Sequence, residues 1–142
     1  MLHSEKSKEI IEKQTPISIV TVRRVKKALA RKGVVLEQSK EWDDYLISTG
    51  REAVTYTDGT MIMHTKVSSS GFFEELIHYG QVINKRAIFG DAENMLLMEI
   101  EAQERLMANQ RAYKITSFEM EILTKNLQWY KIQLEKMKKG GV

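Results

Sequence analysis

The chain has 142 residues, 42% of them hydrophobic and 29% charged, with 22 Lys and Arg against 19 Asp and Glu for a net charge of +3; that is enough apolar material for a core of its own and too small a basic excess to argue for nucleic acid. With no cysteine, disulfides, thiolate zinc sites and a cysteine nucleophile are excluded, so any transition-metal site must draw on His, Asp or Glu. No apolar run approaches the ~20 residues of a membrane span and the first residues lack the apolar core of a signal peptide, so no membrane partner is expected and the location is read as cytoplasmic, or as export by a route other than Sec.

Residues 1–15 are polar and charged around Ile10 and Ile11 and predict a frayed helix or flexible arm, with a single domain over 16–142 after the lone proline, Pro16. Thr21 is placed to cap a helix over 22–32, in which Val22, Val25 and Leu29 share one face and Gly33 is the stop. The opposite face holds Arg23, Arg24, Lys26, Lys27, Arg31 and Lys32 without interleaved aromatics, which predicts a solvated face in preference to a platform for bases. Val34, Val35 and Leu36 read as a buried strand. Two β-prone runs over 51–67 flank Asp58-Gly59, the signature of a two-residue hairpin in which Tyr56 faces Met61 and Val54 faces Met63. His64 then shares the other side with Ile62. Ser70 predicts the cap of a helix over 71–84, Asp91 the cap of a helix over 91–112, and Thr116 with Glu119 the capping box of a last helix reaching residue 139. In that last helix Leu123, Leu127, Tyr130, Leu134 and Met137 step by four and three, a seam for the domain's own core or for a partner.

The helix over 71–84 carries the chemistry. Residues four apart share a helix face, so Glu74 and His78 are neighbours, Gln81 extends their stripe and Glu75 stands beside it, with Phe73, Leu76, Ile77 and Ile83 available for the other side. In an HExxH helix two ligands at i and i+4 hold a metal while the acid between them acts as base; here the pattern is EExxH, with Glu74 and His78 in the ligand positions and Glu75 in the base position. Glu99, 21 positions after His78, or its near neighbour Glu101, is available from the next helix as a further ligand, and His64 from the hairpin strand as another. The competing reading is an ordinary amphipathic helix with one histidine and a solvated acidic face. A set of carboxylates with one imidazole suits manganese or iron somewhat better than zinc.

The order of hairpin ending TMIMH, helix FFEELIHYGQ and helix EIEAQERL resembles the zincin-like metallopeptidase domains that serve as toxin modules in bacterial polymorphic toxins and prophages, over about residues 34–137. The resemblance implies a small α+β zincin-like fold, with a short sheet and β-hairpin packed on the metal-site helix and two long C-terminal helices. It further implies a hydrolase cleaving peptide bonds with Glu75 as general base, His78 and Glu99 as ligands with Glu101 as second choice, zinc as the cofactor ahead of manganese or iron, a protein or peptide substrate, and an immunity protein as partner. Glu74 stands where the family has its first histidine. Tyr56, Tyr79 and Tyr113 are equal candidates to stabilise an oxyanion. The alternative expectation is a catalytically silent zincin-like module that binds a protein through its last helix and needs no cofactor, and a nucleic-acid-directed toxin using the basic helix is a third.

Overall fold

The structure, a computed structural model, describes residues 2–5 by their backbone pairing and residues 8–140 in full. Among these the order is β1 (Leu2–Glu5), α1 (Lys8–Lys13), α2 (Ile19–Ala30), β2 (Leu36–Glu37), α3 (Lys40–Ser48), β3 (Arg51–Thr55), β4 (Met61–Met63), α4 (Ser69–Ile83), α5 (Ala92–Ala108) and α6 (Ser117–Gly140). The class is therefore mixed α+β. The strands form one sheet in the order β1-β3-β4-β2, antiparallel except for the β2–β4 pair.

Packing divides the molecule into three apolar clusters. On one face of the sheet, Leu46 of α3 packs on Val54 and Ile62. On the other, Ala53, Met61 and Met63 meet Phe72 of α4 together with Val22 and Leu29 of α2. Farther out, Ile77 of α4 joins Ala102 and Leu106 of α5 and Leu123 of α6. Helix α4 thus lies between the sheet and the α5–α6 pair, which enclose the side chains on the faces it turns to them. The α6 seam packs inward at its start, where Leu123 is buried, and opens to solvent by Met137.

Several expectations need correction. Within the segment before Pro16, of which residues 1, 6 and 7 lie outside the described residues, β1 pairs with β3, α1 buries Ile11, and Gln14 donates to Glu52 and to the Lys66 carbonyl. These long-range contacts outweigh its polar composition. Helix α2 starts three residues before the expected position because Ser18, not Thr21, accepts from the Val20 N–H, and the strand read over 34–36 shrinks to Leu36 and Glu37, paired with Met61 and Ile62. Helix α3 has no counterpart in the sequence expectations. Helix α4 is capped by Ser68, whose hydroxyl accepts from Gly71 N–H, and α5 ends at Ala108.

The hairpin differs by one residue. Ala53 pairs with Met63, Val54 with Ile62 and Thr55 with Met61, and Tyr56 N–H reaches the Thr60 carbonyl, which makes the loop Thr57-Asp58-Gly59. Gly59 supplies the positive φ of +90° at the end of that three-residue loop, and Asp58 Oδ1 accepts from Thr60 N–H at 2.9 Å. A slip of one residue exchanges sheet faces. Val54 therefore turns to α3, and Thr55 turns to α4.

Candidate metal centre

Helix α4 buries its polar stripe more deeply than its apolar one. Glu74, Glu75, His78 and Gln81 are 5%, 0%, 0% and 1% exposed, whereas Ile83 is 52% exposed. Burying carboxylates and an imidazole is costly unless each finds a partner or a counter-charge. The partners come from β3 on one side and α5 on the other.

From the sheet, Thr55 donates its hydroxyl to Glu75 Oε2. From α5, Gln103 Nε2 donates to Glu74 Oε1 at 3.0 Å, and Glu99 Oε1 stands 3.1 Å from His78 Nε2. Glu74 Oε2 approaches the same nitrogen at 3.7 Å. Ligand-capable atoms of Glu74, Glu75 and His78 all lie within 4.8 Å of one another. Glu99 and Gln103 are four apart and so share the face of α5 that meets α4.

The rear of the imidazole is fixed by Gln81. Its Nε2 donates to the Met98 carbonyl at 3.0 Å and to Glu101 Oε1 at 3.1 Å. Both are pure acceptors, so the amide oxygen must be the atom that meets His78 Nδ1 at 2.8 Å. Nδ1 therefore carries a proton, and Nε2 is the nitrogen turned to the carboxylates. Glu101 is held from outside by both Nη groups of Arg86, with Nη1 at 2.8 Å. The hydrogen bonds from Arg86 are the main reason its carboxyl lies below the usual range.

Among the described residues, three buried atoms in this cluster find no hydrogen-bond partner: His78 Nε2, Glu99 Oε2 and Gln103 Oε1. The contact of Nε2 with Glu99 has the distance of a hydrogen bond but not its alignment. Two of the three atoms are always lone-pair donors, and the third is one in the neutral imidazole. Burial pushes Glu75 up to about 8, with the negative Glu74 and Glu99 adding to the effect while His78 and Thr55 oppose it. For His78, burial pulls downward, but the carboxylates of Glu99 and Glu74 prevail and hold it well above the ordinary imidazole range. Each shift expresses the same need: positive charge between Nε2 and the carboxylates, supplied by a proton or by a cation. Glu74, Glu75 and His78 are the residues whose ligand atoms lie close enough together to hold a divalent ion, and Glu99 reaches the same imidazole nitrogen from α5.

The other candidates lie apart from this point. Glu101 faces Gln81 and Arg86 and acts behind the imidazole. His64 packs on the α3 side of the sheet, where Nδ1 accepts from Lys66 N–H at 2.9 Å and lies 3.8 Å from Asp43. Tyr56 packs against the α3 cluster, Tyr79 lies beside Gly59, and Tyr113 stacks on Phe73 with ring centroids 4.1 Å apart. Thr55, Arg86 and Gln103 were absent from the sequence reading. Only Gln103 had a signal there, its i+4 spacing from Glu99.

A second buried polar cluster sits at the start of α4. Glu52, at a bulge where Ser4 pairs with Ala53 but Glu5 with Arg51, is turned inward to accept from Ser68 N–H at 2.6 Å and from Gln14. Glu119 accepts from Ser70 N–H and hydroxyl through Oε1, both at 2.8 Å, and from Thr116 N–H and hydroxyl through Oε2, both at 2.9 Å. The capping box of α6 thus also ties that helix to the first turn of α4.

The chain matches no protein-family model, no curated protein and no solved structure.

Proposed function

We propose that the chain is a divergent zincin-like metallohydrolase that cleaves peptide bonds, with a divalent cation held by His78, Glu74 and Glu99. The observation that supports this reading is the close buried grouping of Glu74, Glu75 and His78, with Glu99 Oε1 3.1 Å from His78 Nε2 and no hydrogen-bond partner for that nitrogen among the described residues. An anion finds no welcome there and a cation does. The donor set of one imidazole and two carboxylates fits zinc, manganese or iron by chemistry. Such an ion supplies Lewis acidity to a scissile carbonyl and lowers the pKa of water. Gln81 holds the imidazole in the tautomer that presents Nε2, Gln103 fixes Glu74, and Thr55 orients Glu75, the residue placed to take a proton from water and return it to the leaving amine.

Elemental analysis of the purified protein tests this reading. One divalent ion per chain is expected, reduced to trace levels in His78→Ala and Glu99→Ala. A metal-free protein that takes up no zinc, manganese or iron under anaerobic dialysis overturns it.

A second reading has a specific observation in its favour. Trp129 and Ile132 of α6 are 55% and 49% exposed, and exposed large apolar side chains on one helix suit a protein-binding module. On that reading the buried cluster is a relic that positions α4 against α5.

A further inference from the structure

We propose that the solvent face of α2 is a docking surface for an anionic lipid bilayer. The inference is independent of the metal reading. Between Lys13 and Leu36 the chain has six Lys and Arg and no acid, while the remaining residues hold sixteen cations against nineteen acids. The basic excess of the molecule is therefore local, and the rest of it is acidic.

The geometry gathers this charge. At ~100° per residue, Arg23, Arg24, Lys26, Lys27 and Arg31 fall within less than half of the helix circumference, opposite Val22 and Leu29, which are buried in the core. All five are exposed, and no ion pair among the described residues involves any of them.

The same arc contains Ile19 and Val20, 61% and 67% exposed. These two select the partner. Duplex nucleic acid would meet the cations and gain nothing from adjacent β-branched side chains at the helix start, and α2 offers no aromatic for single-stranded bases. A bilayer uses both: anionic headgroups meet the cations, and the interfacial region takes Ile19, Val20 and the aliphatic stems of Arg and Lys. No helix of the described residues is long and apolar enough to cross a membrane, and none is needed, because a helix can lie on the surface while its other face stays in the protein core.

Co-sedimentation of the full chain with phosphatidylcholine vesicles, with and without about a third phosphatidylserine, tests the proposal. Binding is expected with the anionic vesicles alone, and it should fall steeply between about 50 and 500 mM salt as screening shortens the reach of the charges. Arg23→Ala and Lys27→Ala should each weaken partitioning about fivefold. The pair Ile19→Ser and Val20→Ser should weaken it with all cations present, and circular dichroism of each variant checks that the fold is retained. Equal binding to neutral vesicles, no binding to anionic ones by the folded protein, an Ile19→Ser/Val20→Ser variant that binds as well as the parent, or tighter binding to duplex DNA or RNA at equal phosphate concentration would each overturn it.

Discussion

The two polar clusters on α4 contain the same kind of residue and differ in what surrounds it. At the start of the helix, the carboxylates of Glu52 and Glu119 face backbone N–H groups, serine and threonine hydroxyls and an amide. One turn farther on, Glu74, Glu75 and Glu99 face an imidazole and one another. The first cluster consumes donors: it places negative charge at a helix N-terminus, where free N–H groups and the macrodipole favour it. The second has single donors from Thr55 and Gln103 but gathers three carboxylates around one imidazole, so each lowers the cost of positive charge at His78. A carboxylate's surroundings, and not its burial, distinguish the two clusters.

That contrast yields its largest expected effect at Gly71. A Cβ there would lie 2.3 Å from Glu52 Oε2 and 2.6 Å from its Cδ, and Glu52 cannot withdraw without abandoning the Ser68 N–H. Gly71→Ala should lose about 3 kcal/mol of stability in urea unfolding, through overpacking and a buried donor left bare. Gly80→Ala, in the same helix with nothing within 4 Å of its Cβ, should gain about 0.5–1 kcal/mol. Divalent ions should change neither difference. If zinc or manganese rescues Gly71→Ala, the two clusters are not separate.

The second cluster should behave in the opposite way. On the proposed metal reading, saturation of the parent chain with a divalent ion at about 100 times Kd should raise stability by ~2.7 kcal/mol, and His78→Ala should abolish that increment. In the absence of ions the same variant should cost less than in their presence. A stability loss in His78→Ala that is equal with and without metal would move this cluster into the structural category.

How much of this was legible in the sequence follows from the range of the interactions. The Thr116–Glu119 box and the Asp91 cap are set by neighbours within four residues, and both appear where the local pattern puts them. The i, i+4 stripe of Glu74 and His78 is equally local. Its inward orientation was not legible, because that depends on Thr55 and Gln103 arriving from β3 and α5. Asp58-Gly59 fits both a two-residue and a three-residue loop, so the dipeptide located the hairpin without setting its register. Helix α3 carries Trp42, Tyr45 and Leu46 at i, i+3 and i+4 behind the Ser39 cap, a local pattern that is legible in the sequence and that the expectations missed. Strand β1 and Gln14 depend on partners dozens of residues away, and composition alone misread them.

Smaller effects probe the edges of each cluster. Gln81→Ala removes the acceptor that holds Nδ1–H of His78 and should weaken cation affinity by about 10–100-fold, the range for a group that orients a metal-bound histidine. Glu101→Gln, one bond farther out, should cost less than tenfold. A calorimetric titration with manganese or zinc gives both values, and equal losses for the two variants would show that Gln81 serves packing and not the imidazole.

The smallest effect belongs to Glu119 and depends on pH. Burial pushes its carboxyl up, yet the bonds from Thr116 and Ser70 together outweigh burial and leave it below its ordinary value of 4.5. A depressed folded-state pKa adds stability that is complete above the unfolded value and is lost as pH falls through the folded one. Glu119→Gln cannot titrate, so it should be less stable than the parent by about 1–2 kcal/mol near neutrality, and the two should converge as pH drops below 4.5. Urea midpoints across that window provide the measurement. A gap that persists undiminished at the acid end would mean that the Glu119 charge contributes nothing and that the donors around it, the feature that distinguishes the first cluster from the second, do not favour the ionised form.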